Sequence, residues 1–270
     1  MRILGKKKSM CYNKQVINLK NRRRYMFGFN IDRKFIYILL GALILSNLMS
    51  YSTASLLALL LTLPAVIIAI TFHEFAHAYA ADKLGDDTPR MQGRLNLNPL
   101  SHIDPVGFML LMFAGFGWGR PVQINPRNFN RNVRIDKGEA VVSLAGPLMN
   151  FVLAIISAII LGAIYMFAPS TFLMSTTGNV IYILLQELVI INIGLGVFNL
   201  IPLPPLDGSK IFINFMPYNW RRWILEHSQI FYYIFLAIWI TGLAGLIISP
   251  IINLLYSGLM KVVFAIFRLF

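Results

Sequence analysis

The chain is poor in charge. Only 13% of its 270 residues are Asp, Glu, Lys or Arg, where about a quarter is usual for a soluble domain. Acid is scarcer still, with 11 Asp and Glu in all. Cysteine is limited to Cys11, which excludes an intrachain disulfide and a thiolate metal site. Histidine and glutamate occur four times each. The sequence has no internal repeat, no low-complexity tract and no appended soluble domain of useful size. No small-residue cleavage site follows Leu40–Ser46, so Phe35 to Met49 reads as an anchor that stays, not a cleaved signal.

Hydrocarbon fills the space that charge leaves. Hydrophobic residues make up 57% of the chain, and mean hydropathy is +0.66. This composition predicts an α-helical multi-pass membrane protein. A spanning helix needs about 20 largely apolar residues. Six stretches are candidates, at residues 35–50, 55–82, 139–168, 179–200, 228–248 and 251–269, the first of them short. Ser249–Pro250 is expected to separate the last two. Lys261 falls inside the sixth, which leaves an interfacial placement as its alternative.

The net charge of +13 is concentrated at one end. Residues 1–34 hold eleven Lys and Arg against Asp32 alone, which accounts for +10 of it. A basic run just ahead of an apolar segment is what the positive-inside rule produces. It therefore predicts topology and no nucleic-acid partner. Two domains follow: a basic cytoplasmic segment, residues 1–34, expected to be disordered, and a membrane-embedded domain, residues 35–270. The stretch before Met26 lacks periodicity, which makes Met26 a candidate start. Loops 119–138 and 209–227 are also basic, whereas 51–54 and 169–178 have no Lys or Arg. The expected location is the cell membrane, with the N-terminus and the C-terminal end of the second helix toward the cytoplasm.

The segment between the second and third helices has another texture. "MQGRLNLNPLSHIDP" and "RPVQINP" alternate polar and apolar residues around the apolar "VGFMLLMFAGFGWG". That centre is too short to span. The pattern predicts two short strands flanking a re-entrant β-like segment, with a surface loop and one interfacial helix as the alternative.

The chemistry is concentrated in "TFHEFAHAYAADKLGD", where His73, Glu74 and His77 form H-E-x-x-H at the end of the second apolar run. Positions i and i+4 share a helix face, so the two imidazoles can bind one Zn²⁺. Glu74 sits one residue on, from where it can take a proton from water activated at the metal. With so few His and Glu, chance produces this pattern in on the order of one such chain in a thousand. A catalytic zinc site needs a third protein ligand. In "NLIPLPPLDGSK" the prolines 202, 204 and 205 forbid a continuing helix, and Asp207–Gly208 follows on unwound chain. Alone this is an Asp-Gly turn. Beside His73 and His77, Asp207 becomes the candidate third ligand. His102 and His227 read as satisfied loop or helix-end residues, and Glu187 as an intramembrane acid of open role.

At these residues the chain resembles the site-2 protease family of intramembrane zinc metalloproteases. The likeness rests on H-E-F-A-H, "GRLNLNPLSHIDPVG", "SLAGPLMN" and "NLIPLPPLDG", in order, over about residues 30–250. It looks like a compact form without a PDZ or CBS domain. The resemblance implies that His73, His77 and Asp207 ligate one zinc per chain and that Glu74 is the catalytic base. It implies substrate-binding or carbonyl-polarising roles for Asn199 and, less directly, Asn150. Leu206 stands where the commonest family form has proline. The expected function is hydrolysis of peptide bonds within or near transmembrane segments of membrane-tethered proteins, with the lipid bilayer as surroundings. The alternatives are a metal-cation transporter and a non-catalytic relative that binds transmembrane helices.

Overall fold

The computed structural model describes residues 53–114 and 117–269. The basic segment 1–34 and the expected first span, 35–50, lie outside them. The principal helices are α1 (Thr53–Lys83), α2 (Pro105–Ala114), α3 (Ile135–Phe167), α4 (Thr176–Asn199), α5 (Asp207–Phe215), α6 (Tyr218–Glu226), α7 (Ser228–Ile240) and α8 (Leu243–Phe267). Single helical turns at Thr88–Met91, Pro99–His102 and Ser170–Leu173 join them. Among the described residues, four segments are long and apolar enough to cross a membrane: Leu59–Lys83, Ile135–Phe167, Thr176–Asn199 and Leu243–Phe267.

In hydrocarbon every backbone polar group must be paired internally, and helices achieve this within one segment. Apolar side chains then give no driving force between helices, so association depends on close packing. Small residues supply it here. Ala154, Ala158 and Leu161 of α3 meet Val189 and Ile193 of α4 and Met260 and Val263 of α8 in one buried cluster. α1 presents the fully buried Ala65, Ala69, Ala78 and Ala81 and packs on α3 and α4. The outward side of α3 exposes Ile155, Ile156, Ile159 and Ile160, a face suited to lipid.

Two expectations are corrected. The first concerns strands. Among the described residues no strand forms, and the only strand-type pairing of the expected β-like flanks is an isolated antiparallel bridge, Ile103 to Gly119. The asparagines explain the first flank. Asn96 Oδ1 accepts from Asn98 N at 2.8 Å, and Asn98 Oδ1 accepts from Leu100 N at 3.1 Å. Such local side-chain bonds compete with a strand ladder. Asn98 thereby caps the turn Pro99–His102. In the second flank Pro121 has no donor. Val122 N and Asn125 N donate instead to the carboxylates of Glu74 (3.1 Å) and Asp86 (2.6 Å). The apolar centre of this excursion is helix α2.

The second correction moves a helix boundary. The chain breaks at Gly242, which adopts a left-handed φ of 75°, and not at Ser249–Pro250. Pro250 lies inside α8 on an exposed face, where its ring displaces no packed neighbour. The expected fifth span is thus divided. α7 has 13 residues, which at 1.5 Å per residue is about 20 Å and too short to span.

Candidate metal centre

His73 and His77 sit on consecutive turns of α1, ten and six residues from its end at Lys83. Along the axis that is about 15 Å and 9 Å. Asp207 is the first residue of α5. The prolines end α4 at Asn199, and the irregular segment that follows turns the chain back on that helix end. Gly208 makes the return fit, since a methyl group there would overlap the carbonyl oxygens of Leu200 and Ile201. The glycine is needed for close approach, because its φ is not in the left-handed region.

These elements bring three potential ligands together. His73 Nε2 and His77 Nε2 are 3.0 Å apart. Asp207 Oδ2 lies 3.2 Å from the first and 3.0 Å from the second. His73, His77 and Asp207 form the one group of three or more such side chains found among the described residues. Lys210 Nζ stands 3.6 Å from the other carboxylate oxygen, Oδ1.

The imidazole tautomers decide what this cluster can hold. His77 Nδ1 is 2.7 Å from the carbonyl oxygen of Val142, which can only accept. The hydrogen is therefore on Nδ1. Asn150 settles His73 in the same way. Its Nδ2 donates to Ala69 O (3.2 Å) and to Asn192 Oδ1 (2.9 Å). Its Oδ1 must then face His73 Nδ1, 2.6 Å away, and accept from it. In its neutral form each ring then presents a bare Nε2 toward Asp207. Three lone-pair donors at this spacing repel one another unless a cation lies among them. The ligands of tetrahedral zinc, with bonds of roughly 2.0–2.2 Å, are about 3.3 Å apart. The donor set, the spacing and the tautomers fit zinc.

α3 closes the site from below. A methyl group on Gly146 would lie 2.6 Å from His77 Cε1 and 2.7 Å from His73 Cε1. Glu74 is buried beside the cluster and accepts from Val122 N. Segment 117–125 thus covers the carboxylate. It is itself pinned by Arg120 N donating to His102 O at 2.6 Å and by the buried Arg94 guanidinium donating to Arg120 O. Burial pushes the Arg94 guanidinium below its usual range, and the nearby Glu74 carboxylate offsets part of this. Beyond it, Asp86 is fully buried and accepts from Thr88 N (3.1 Å), Thr88 Oγ1 (2.5 Å), Asn125 N (2.6 Å) and Asn128 Nδ2 (3.1 Å).

The remaining candidates are elsewhere. Asn199 donates to Leu195 O within its own helix. Asn150 is fully buried, and its amide is taken up by His73, Ala69 and Asn192. It lies behind His73, where its amide joins α3 to α1 and α4. His102 is fully buried and donates from Nε2 to Asn96 O at 2.7 Å. His227 sits between α6 and α7, its Nδ1 donating to Trp223 O at 2.8 Å. Sequence reasoning passed over Asn192, Gly146 and Arg94. Asn192 carried a signal: an amide in the apolar run "VIINIGLG" is costly in a membrane and marks function.

Comparison with known proteins agrees with this chemistry. The model of peptidase family M50 matches residues 61–242. The chain is 37% identical over 205 residues to YwhC of Bacillus subtilis (strain 168), provisionally named a zinc metalloprotease, covering 75% of this chain and 90% of that one. It is 25% identical over 217 residues to the similarly named MJ0611 of Methanocaldococcus jannaschii, covering 79% and 99%. With Rip2 of Mycolicibacterium smegmatis it shares 31% identity over 145 residues, 53% of this chain and 52% of that one. No solved structure matches. A membrane-helical chain with a zinc-compatible His, His, Asp cluster, matched over these lengths, belongs to peptidase family M50, the site-2 proteases, and is a zinc metalloendopeptidase.

Proposed function

We propose that the chain is an intramembrane endopeptidase, with one zinc held by His73, His77 and Asp207, that cuts peptide bonds within or near transmembrane segments of membrane-tethered proteins. The observation that carries this reading is the convergence of Asp207 Oδ2, within 3.2 Å, on the Nε2 atoms of His73 and His77, which sit on a helix of membrane-spanning length. If Lys83 marks the membrane surface, His73 lies about 15 Å below it, near the middle of a hydrocarbon layer about 30 Å thick.

Zinc, when bound, polarises the scissile carbonyl and makes water acidic enough to attack at neutral pH. The chain's residues do the rest. Glu74 removes the proton from the attacking water and passes it to the leaving amide nitrogen. The Val122 N–H holds one of its oxygens, which fixes the carboxylate against α1 without neutralising it. Asn199, at the end of α4, is the candidate to contact substrate at its helix-breaking exit. A transmembrane helix must unwind before attack, so substrates with helix-breaking residues near the cut are favoured. The basic segment 1–34 and the loops at 119–138 and 209–227 assign the N-terminus and the Lys83 end of α1 to the cytoplasmic side of the cell membrane. On this reading residues 35–50 add a span before α1, and the excursion around α2 dips into the membrane.

The test is zinc content of protein purified in detergent, with cleavage of a transmembrane substrate in proteoliposomes. Wild type carries about one zinc per chain and cleaves. Asp207→Ala loses zinc, and Glu74→Gln keeps zinc but is inactive. Zinc retained by Asp207→Ala overturns the ligand set, and cleavage by Glu74→Gln overturns the base.

A further inference from the structure

α1, α3 and α4 are joined at one level by a chain of buried amides. His73 Nδ1 donates to Asn150 Oδ1 at 2.6 Å. Asn150 Nδ2 donates to Asn192 Oδ1 at 2.9 Å. Asn192 Nδ2 donates to Leu188 O at 2.8 Å. Asn150 and Asn192 are both 0% exposed. Such burial of two amides between membrane-length helices is costly unless every donor and acceptor is paired. Here they are paired in one direction only.

That direction is set by two backbone carbonyls, Ala69 O one turn before His73 on α1 and Leu188 O on α4. Leu188 O and Ala69 O can only accept, so the NH₂ groups of Asn192 and Asn150 must point at them. This fixes Asn192 Oδ1 toward Asn150 and Asn150 Oδ1 toward His73. With its acceptor fixed, His73 must carry a hydrogen on Nδ1, and in the neutral ring Nε2 is then bare. Were Asn150 free to turn over, its NH₂ would face His73 Nδ1 and favour the opposite tautomer, with Nε2 capped by hydrogen and unable to ligate. His77 has no comparable relay, because its Nδ1 donates directly to a backbone carbonyl. The two imidazoles of one motif are therefore set by different means, His77 by α3 backbone alone and His73 through two side chains on two helices.

We infer that Asn150 and Asn192 are positioning residues that act in series: Asn192, together with the Ala69 carbonyl, locks the orientation of Asn150, and Asn150 locks His73 as the tautomer that can bind zinc. The inference rests on the ligand set proposed above. Partners of this kind in the shell around a metal typically contribute 10–100-fold in affinity. A series arrangement adds a stricter expectation. Once Asn150 is gone, Asn192 has nothing left to orient toward the metal.

The experiment measures zinc affinity by chelator competition on the full chain in detergent, for wild type, Asn150→Ala, Asn192→Ala and the double variant. Asn150→Ala is expected to weaken zinc 10–100-fold, and Asn192→Ala by less. The double variant is expected to match Asn150→Ala alone, whereas two separate packing defects would multiply. Wild-type affinity in Asn150→Ala, or multiplied losses in the double variant, overturns the inference. If the variants do not fold, ¹⁵N-histidine NMR of metal-free wild type decides instead. His73 as the Nδ1–H tautomer is expected, and the Nε2–H tautomer overturns the inference. Failure of the underlying ligand set is distinguishable, since Asp207→Ala would then bind zinc as wild type does.

Discussion

Replacing Gly146 with alanine adds one methyl group at the point where α3 touches both imidazoles. That carbon would lie 2.6 Å from His77 Cε1 and 2.7 Å from His73 Cε1, whereas carbon atoms in contact prefer 3.5–4.0 Å. The rings or the helix must retreat by about 1 Å. Neither moves freely. His77 is tied to Val142 of the same helix α3, and His73 to Asn150, one turn beyond Gly146. Metal ligands tolerate errors of only about 0.2 Å, and a misplacement of about 1 Å costs on the order of 100-fold in turnover. Gly146→Ala should therefore weaken zinc at least tenfold, about 1.4 kcal/mol, and lower cleavage by about two orders of magnitude. Its helical content by circular dichroism should be unchanged. Gly245→Ala is the control, because nothing lies within 4 Å of a methyl group there. Gly146→Ala that binds zinc and cleaves like this control would refute the packing argument.

Three further outcomes are expected. Glu74→Gln should lower cleavage by about 10²–10⁴-fold, the usual contribution of a general base, with zinc content unchanged by atomic absorption. Asp86→Ala removes the acceptor for four hydrogen bonds and frees the turn that carries segment 117–125; a lower melting temperature and loss of protection at the Val122 amide in hydrogen exchange should follow. Burial pushes the His102 imidazole below its ordinary range, so the unfolded chain takes up the proton first. Its contribution to stability is therefore full above about pH 6.5 and declines as pH falls through that value, and His102→Gln should flatten this part of the melting-temperature profile.

What could be read from the sequence was local. The membrane-length helices follow from runs of apolar residues, and H-E-x-x-H specifies a shared face within five residues. Asp207 was legible because prolines must end a helix wherever they cluster. The misreadings arose where a local pattern had a non-local competitor. Alternation at 94–98 and 120–126 looked like strand. In the fold the first stretch is consumed by its own asparagine side chains, and the N–H groups of the second by Glu74 and Asp86, up to 48 residues away. Pro250 looked like a break because proline usually is one, yet the left-handed Gly242 had already made it.

The metal site shows why ligands can be read from a sequence while their competence cannot. An imidazole binds a cation only through a nitrogen that has no hydrogen. Which nitrogen that is depends on the partner of the other. For His77 that partner is a carbonyl 65 residues on, and for His73 an amide 77 residues on that is itself oriented by α4. No spacing within the motif encodes either. The same helix α3 supplies the carbonyl, the amide and the glycine that leaves room for both rings. A change that slides α3 along α1 by a fraction of a turn would keep every ligand in the sequence and still abolish the site.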